Sequence, residues 1–120
     1  MATKVGINGF GRIGRNLYRA YLQKSPGFEI VAVNDLASPD VLAHVLKYDS
    51  THGVLDADVG HSEGEISVDD KSFKVLSERD PTALPWNEMG VEVVVESTGL
   101  FTGRDGASQH IDAGAKKVVI

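Results

Sequence analysis

A doubly wound α/β fold with a mainly parallel sheet is the architecture this sequence predicts, and three observations predict it. Short apolar runs at residues 5–8, 29–33, 91–96 and 117–120 alternate with stretches of helical periodicity. The run Ile30-Val31-Ala32-Val33 has no polar interruption, which suits a parallel strand covered on both faces. A glycine-rich turn, Gly9-Phe10-Gly11-Arg12-Ile13-Gly14, joins the first run to the first helical stretch. Strands that alternate with helices connect by right-handed crossovers, so neighbouring strands lie parallel.

The first strand is expected over Val5-Gly6-Ile7-Asn8. A helix follows over residues 12–23, with Ile13, Leu17, Ala20 and Tyr21 on its buried face and Arg12, Arg15, Asn16, Arg19 and Gln23 on the others. Ser25-Pro26-Gly27 stops it, and residues 29–33 form the second strand. Ser38-Pro39-Asp40 has the chemistry of a helix start: a hydroxyl to cap free N–H groups, a proline in the first turn, and an acid matched to the dipole. Leu42, Val45 and Leu46 supply the buried face of that helix. Residues 48–64 keep no period and are expected to be mostly irregular. Residues 65–68 and 72–76, joined across Asp69-Asp70-Lys71, read as a small hairpin insertion. Residues 81–85 read as loop, and 91–96 as a strand that turns out through Ser97-Thr98-Gly99. A last helix over 103–113 stops at Gly114, and Lys117-Val118-Val119-Ile120 begins a strand. Chains seldom stop on the last apolar residue of a core strand. Residues 1–120 are therefore expected to be the N-terminal portion of one domain, the front part of a longer protein.

Composition narrows the function classes. A chain of 120 residues with 42% hydrophobic and 24% charged residues is ordinary for an ordered globular domain. The net charge of −5 is dispersed, whereas a nucleic-acid partner would select clustered Lys and Arg. No apolar run approaches the roughly 20 residues that span a bilayer, so no membrane partner is expected. The start Met1-Ala2-Thr3-Lys4 lacks the apolar stretch of a secretory signal, and a cytoplasmic location is expected. There are no cysteines, hence no disulfides and no thiol chemistry.

The glycine-rich turn carries the chemistry. Glycines at 9, 11 and 14 match G-x-G-x-x-G, with a strand before the turn, an amphipathic helix after it, and Asp35 at the end of the second strand. This is the Rossmann-type setting for the ADP half of NAD. Gly9 permits the tight turn, Gly11 lets a pyrophosphate approach the backbone, and Gly14 lets the helix pack close to the sheet. The N–H groups of Gly11, Arg12 and Ile13 at the helix start would hold phosphate charge. The Asp35 carboxylate would accept from both ribose hydroxyls and repel a 2′-phosphate. No arginine stands in Leu36-Ala37-Ser38 to receive one, so NAD is favoured over NADP. The competing reading makes the glycines packing residues and Asp35 a solvent-facing strand end. Arg15 divides evenly between a solvated position and a place near bound anions.

Residues 4–15, Lys4-Val5-Gly6-Ile7-Asn8-Gly9-Phe10-Gly11-Arg12-Ile13-Gly14-Arg15, resemble the opening of the phosphorylating glyceraldehyde-3-phosphate dehydrogenases. The resemblance continues through Val33-Asn34-Asp35-Leu36, Leu46-Lys47-Tyr48-Asp49-Ser50-Thr51-His52-Gly53, Glu78-Arg79-Asp80-Pro81 and Leu84-Pro85-Trp86. It reaches Glu96-Ser97-Thr98-Gly99-Leu100-Phe101 and Ala113-Gly114-Ala115-Lys116-Lys117-Val118-Val119-Ile120, covering the chain in the family's order. It implies that Asn8, Arg12 and Ile13 line the dinucleotide and that Asp35 binds the adenine ribose. It also implies that Arg79 approaches the adenine, and that Ser97, Thr98 and Gly99 run along the cofactor with Phe101 nearby. A homotetramer acting on a triose phosphate in glycolysis and gluconeogenesis is implied as well.

In the family a cysteine thiolate attacks the aldehyde, a histidine acts as base, hydride passes to NAD, and phosphate releases the acyl-enzyme. A chain without cysteine supplies no such nucleophile, so these residues alone are expected to bind cofactor without turning over substrate. None of the four histidines is assigned as base: His52 and His61 fall in irregular segments, and His44 and His110 on helices, where a surface or half-buried place is expected. Asp49-Ser50-Thr51-His52 is not a nucleophilic triad, because such groups must converge in space beside an oxyanion hole. Erythrose-4-phosphate dehydrogenase, which shares the opening motif, and a stand-alone nucleotide-binding module remain as alternatives.

Overall fold

The computed structural model describes residues 3–24, 27–49, 53–55, 57–69, 71–98 and 104–119. The strands are β1 (Thr3–Asn8), β2 (Phe28–Asn34), β3 (Tyr48–Asp49), β4 (Gly53–Val54), β5 (Val59–Ser62), β6 (Glu65–Val68), β7 (Lys71–Leu76), β8 (Val93–Glu96) and β9 (Lys117–Val119). The helices are α1 (Arg12–Lys24), α2 (Pro39–Lys47) and α3 (Arg104–Asp112), with a 3-10 turn over Pro81–Ala83. One seven-stranded sheet runs β5-β6-β7-β2-β1-β8-β9, and β3 and β4 form a separate antiparallel pair. From β7 to β9 every pairing is parallel; β5, β6 and β7 extend one edge as antiparallel strands. The parallel strands thus follow the Rossmann-type order, with the first strand central and the chain reversing its direction of travel between β1 and β8.

Each face of the sheet carries its own core. On one side Val5, Ile7, Ile30 and Val33 pack with Tyr18 and Tyr21 of α1 and Leu42, Ala43 and Leu46 of α2. On the other, Ala32 and Val94 pack with Leu84, Trp86, Val91 and Ala115. Strict alternation would put Ile30 and Val33 on opposite faces. The pairing of β1 with β2 steps from Val5–Ile30 to Gly6–Ala32, so Val31 is an extra residue and the parity shifts. Gly6 faces the second core, where an added Cβ would lie 2.6 Å from the Trp86 ring.

Several elements differ from expectation. Residues 48–64 are not mostly irregular: β5 pairs with β6 from Val59–Val68 to Ser62–Glu65 and becomes the sheet edge. Its His, Ser and Gly residues hide it from any apolar pattern, because an edge strand needs only backbone partners. The hairpin of β6 and β7 is continuous with the main sheet through the β2–β7 pairing. Ser38 does not cap α2 with its side chain; its hydroxyl bonds the Asp40 carboxylate instead.

The buried stripe of α1 is Gly14, Tyr18 and Tyr21, and Ile13 is 67% exposed. Gly14 sets this rotation: a Cβ there would stand 2.6 Å from the Gly9 carbonyl oxygen, so residue 14 faces the sheet and Ile13 is turned out. Tyr18 then meets Phe10 and Phe73, with ring centroids 6.3 and 4.8 Å away. Burial, and behind it the neighbouring Tyr21, pushes the Tyr18 phenol well above its ordinary range.

Arg19, expected on an open face, is buried, and its guanidinium donates to the carbonyls of Leu46 (2.7 Å), Lys47 (3.2 Å) and Gly53 (3.0 Å). It ties α1 to the end of α2, where the Leu46 and Lys47 carbonyls lack helical partners, and to Gly53 of β4. Arg19→Met keeps the bulk and removes the donors, and is expected to cost about 1–2 kcal/mol in urea unfolding. A change under about 0.3 kcal/mol would show that water replaces the guanidinium there. Among the described residues no helix is long and apolar enough to cross a membrane.

Candidate functional site

A cleft of about 470 Å³ opens beyond the carboxyl ends of β1, β2 and β8, beside the reversal in strand order. In open α/β sheets this is where backbone amides and strand-end side chains converge without a loop in the way. Its lining is Asn8, Gly9, Gly11, Asn34, Asp35, Leu36, Glu78, Arg79, Ser97 and Thr98.

The turn after β1 is held from three sides. The Gly9 amide donates to the Asn34 carbonyl (2.7 Å), and the Gly9 carbonyl accepts from the Ser97 hydroxyl (2.5 Å). Gly9 has φ +93°, and an added Cβ would lie 2.8 Å from the Thr98 amide nitrogen. Phe10, the residue between the glycines, is fully buried and anchors the turn in the first core. At Gly11 an added Cβ would meet nothing within 4 Å, so the space in front of that backbone is open. The Arg15 amide bonds the Gly11 carbonyl at 2.9 Å as the helical ladder begins, and the first-turn amides before it lie outside the ladder. Arg15 also donates to the Phe10 carbonyl at 3.1 Å.

Asp35 follows β2 and is half-buried. One carboxylate oxygen accepts from the Phe10 amide (2.9 Å) and the other from the Ala37 amide (3.0 Å). The carboxylate therefore clips the glycine-rich turn to the segment after β2. A carboxylate has about four acceptor sites, which leaves capacity toward the cleft.

Behind the cleft lies a buried polar cluster. Glu96 is 4% exposed and accepts from the Asn8 side-chain amide (2.7 Å), the His110 ring (2.6 Å), the Thr98 amide (3.0 Å) and the Thr98 hydroxyl (2.6 Å). Burial raises the Glu96 pKa, but the hydrogen bonds from His110, Thr98 and Asn8 outweigh it and hold the carboxyl below its ordinary 4.5. Its stabilising contribution is thus fully present above about pH 4.5 and lost as the pH falls through the lower folded-state value. Urea midpoints measured from about pH 6 down to about pH 3 should fall less steeply for Glu96→Gln than for the parent chain. Parallel profiles would show that Glu96 does not drive acid unfolding.

His110 was expected at the surface or half-buried; it is fully buried, on α3, with the Trp86 indole donating to its Nδ1 at 3.1 Å. Helix periodicity alone does not reveal a histidine whose partners are a tryptophan and a glutamate far away in the chain. Of the other expected site residues, Asn8, Gly9, Gly11, Asp35, Arg79, Ser97 and Thr98 meet in the cleft. Gly14 is buried beneath the turn, and Arg12 and Ile13 lie exposed on the first turn of α1, outside the cleft lining. Gly99 and Phe101 lie outside the described residues. Asn34, Leu36 and Glu78 are not among the expected site residues; each is the chain neighbour of one that is, Asp35 or Arg79. Among the described residues no group of three or more His, Asp or Glu side chains is placed to hold a metal ion.

Residues 3–104 match the family model described as glyceraldehyde 3-phosphate dehydrogenase, NAD binding domain. Over 120 residues the chain is 59% identical to a glyceraldehyde-3-phosphate dehydrogenase of Geobacillus stearothermophilus, 57% to one of Streptomyces coelicolor and 58% to glyceraldehyde-3-phosphate dehydrogenase 1 of Bacillus subtilis. In each case all of this chain is covered, and the chain spans 36% of the relative's length. The chain belongs to this dehydrogenase family through its NAD-binding domain, and its cofactor is NAD.

Proposed function

We propose that, as a NAD-binding domain of this family, the chain holds the adenosine half of NAD in the cleft between β1, β2 and β8. The observation that carries this is the meeting of the glycine-rich turn and the Asp35 carboxylate around open space. The first-turn amides of α1, with Arg12 and Ile13, face the pyrophosphate, and Gly11 admits it because nothing occupies the place of a Cβ. Asp35 takes the adenine ribose hydroxyls, Arg79 stands by the adenine, and Asn8, Ser97 and Thr98 continue along the cofactor; the family resemblance alone adds Gly99 and Phe101, which lie outside the described residues. When bound, NAD supplies a hydride acceptor; these residues bind and orient it.

The parent activity we infer is oxidation and phosphorylation of glyceraldehyde 3-phosphate by a cytoplasmic homotetramer. The relatives' names favour that substrate over erythrose 4-phosphate. The 120 residues contain no cysteine, so a thiolate nucleophile is not among what this chain contributes, and the chain alone is inactive. Calorimetric titration with NAD, ADP-ribose and NADP tests the binding role. NAD and ADP-ribose should bind with similar, modest affinity and NADP at least about tenfold more weakly, since a like charge would be set against Asp35. Equal affinity for NAD and NADP would overturn the assignment of Asp35.

A further inference from the structure

The hydrogen bonds of the buried cluster behind the cleft have fixed polarity and converge on Glu96. An indole N–H only donates, so the His110 Nδ1 that receives it at 3.1 Å carries no proton. The ring proton is then on Nε2, which donates to Glu96 Oε1 at 2.6 Å. Asn8 Nδ2 donates to the same oxygen at 2.7 Å, and the 3.4 Å between Asn8 Nδ2 and His110 Nε2 is the spacing of two donors sharing one acceptor. Glu96 meets four donors with an acceptor-only group; no glutamine could, because its NH2 would face an N–H. With the Asn8 amide nitrogen fixed toward Glu96, its oxygen must accept, and Asn34 Nδ2 donates to it at 2.7 Å. Asn34 in turn grips the Glu78 backbone, donating to its carbonyl (2.9 Å) and accepting from its amide (2.8 Å), next to Arg79 at the cleft rim.

We propose that Trp86, His110, Glu96, Asn8 and Asn34 form a hydrogen-bond relay of fixed polarity between Trp86 and the Glu78–Arg79 rim, with donation converging on Glu96 from both ends, making Glu96 and His110 positioning residues for the bound nucleotide. The inference rests on the reading of the cleft as the nucleotide site. Reversing any one amide or the imidazole tautomer sets donor against donor, so the relay has a single satisfied arrangement. A ligand that settles the rim is therefore felt at Trp86, and a fault at Glu96 loosens the rim.

The test is a nitrogen-15 NMR titration of the chain with ADP-ribose. The Phe10 and Ala37 amides, which bond Asp35, report occupancy of the site. The indole N–H of Trp86, the one tryptophan in the chain, reports the far end of the relay. All three signals should move with one midpoint, and the His110 ring should show a bare Nδ1 and a protonated Nε2. In Glu96→Gln and in Asn34→Ala, Phe10 and Ala37 should still move, at a midpoint about tenfold higher, while Trp86 stays still. A merely structural Glu96 would leave the Trp86 response coupled to the ligand. Should either variant fail to fold, the parent chain decides alone. Movement of Phe10 and Ala37 without Trp86, or a protonated Nδ1, overturns the relay and leaves the nucleotide site standing. A folded chain in which Phe10 and Ala37 do not respond overturns the site and the relay together.

Discussion

Replacing Asp35 by alanine is expected to weaken NAD and ADP-ribose binding by about ten- to a hundredfold, the worth of one or two hydrogen bonds to a charged group. NADP should lose far less, because the repelling charge goes with the ribose acceptor, so the ratio of the two affinities narrows. Asp35 also accepts from the Phe10 and Ala37 amides, and part of the loss arises from a turn no longer clipped to the segment after β2. Asp35→Asn separates the two contributions. An amide keeps one acceptor oxygen and presents N–H groups on the other side, so it retains one of the two backbone bonds and should fall between parent and alanine. Titration curves for NAD and NADP that do not change in Asp35→Ala would contradict the role given to this residue.

The second large effect is on stability. Gly9→Ala is expected to cost about 3 kcal/mol or more in urea unfolding, combining an unfavourable backbone region with overpacking. The new Cβ would stand 2.8 Å from the Thr98 amide nitrogen and 3.0 Å from its Cα, and these are backbone atoms just beyond β8. Relief by a small shift is blocked, since the Gly9 amide is bonded to Asn34 and its carbonyl to Ser97. Gly11→Ala makes the contrast. A Cβ there meets no atom within 4 Å, so stability should stay within about 0.5 kcal/mol while ADP-ribose affinity falls. Two glycines two residues apart would then be separated by function, one serving the fold and the other the ligand. Equal stability losses at both positions would mean that the turn is rigid for a reason other than the Thr98 contact.

How far the sequence discloses this architecture depends on where burial leaves a pattern. The central strands were legible because β1, β2 and β8 contribute apolar runs covered on both faces, and the turn because glycines stand in for chains that have no room. The edge strand β5 was not legible, since Val59-Gly60-His61-Ser62 pairs through its backbone and only half-buries its valine. The rotation of α1 differs by one position from that expected from apolar spacing. Apolar spacing admits Ile13 as well as Tyr18, and only the contact of Gly14 with the Gly9 carbonyl, made between a helix and a turn, decides between them.

The candidate site divides in the same way. Its front, from Gly9 to Asp35, is local in sequence, so spacing exposes it. Its back is assembled from partners far apart: Asn8 with Glu96 across 88 positions, and Trp86 with His110 across 24. No period or motif marks a polar residue that is buried because another polar residue meets it. The family resemblance pointed to Asn8, Arg79, Ser97 and Thr98 without that geometry, and the structure sets those four around one opening.

A crystal structure of the chain with ADP-ribose decides whether the cleft beyond β1, β2 and β8 holds the adenosine half of NAD. The pyrophosphate is expected against the amides of Gly11, Arg12 and Ile13, with both adenine-ribose hydroxyls within hydrogen-bond distance of the Asp35 carboxylate. A nucleotide seated elsewhere, or one in the cleft whose ribose does not touch Asp35, would contradict it.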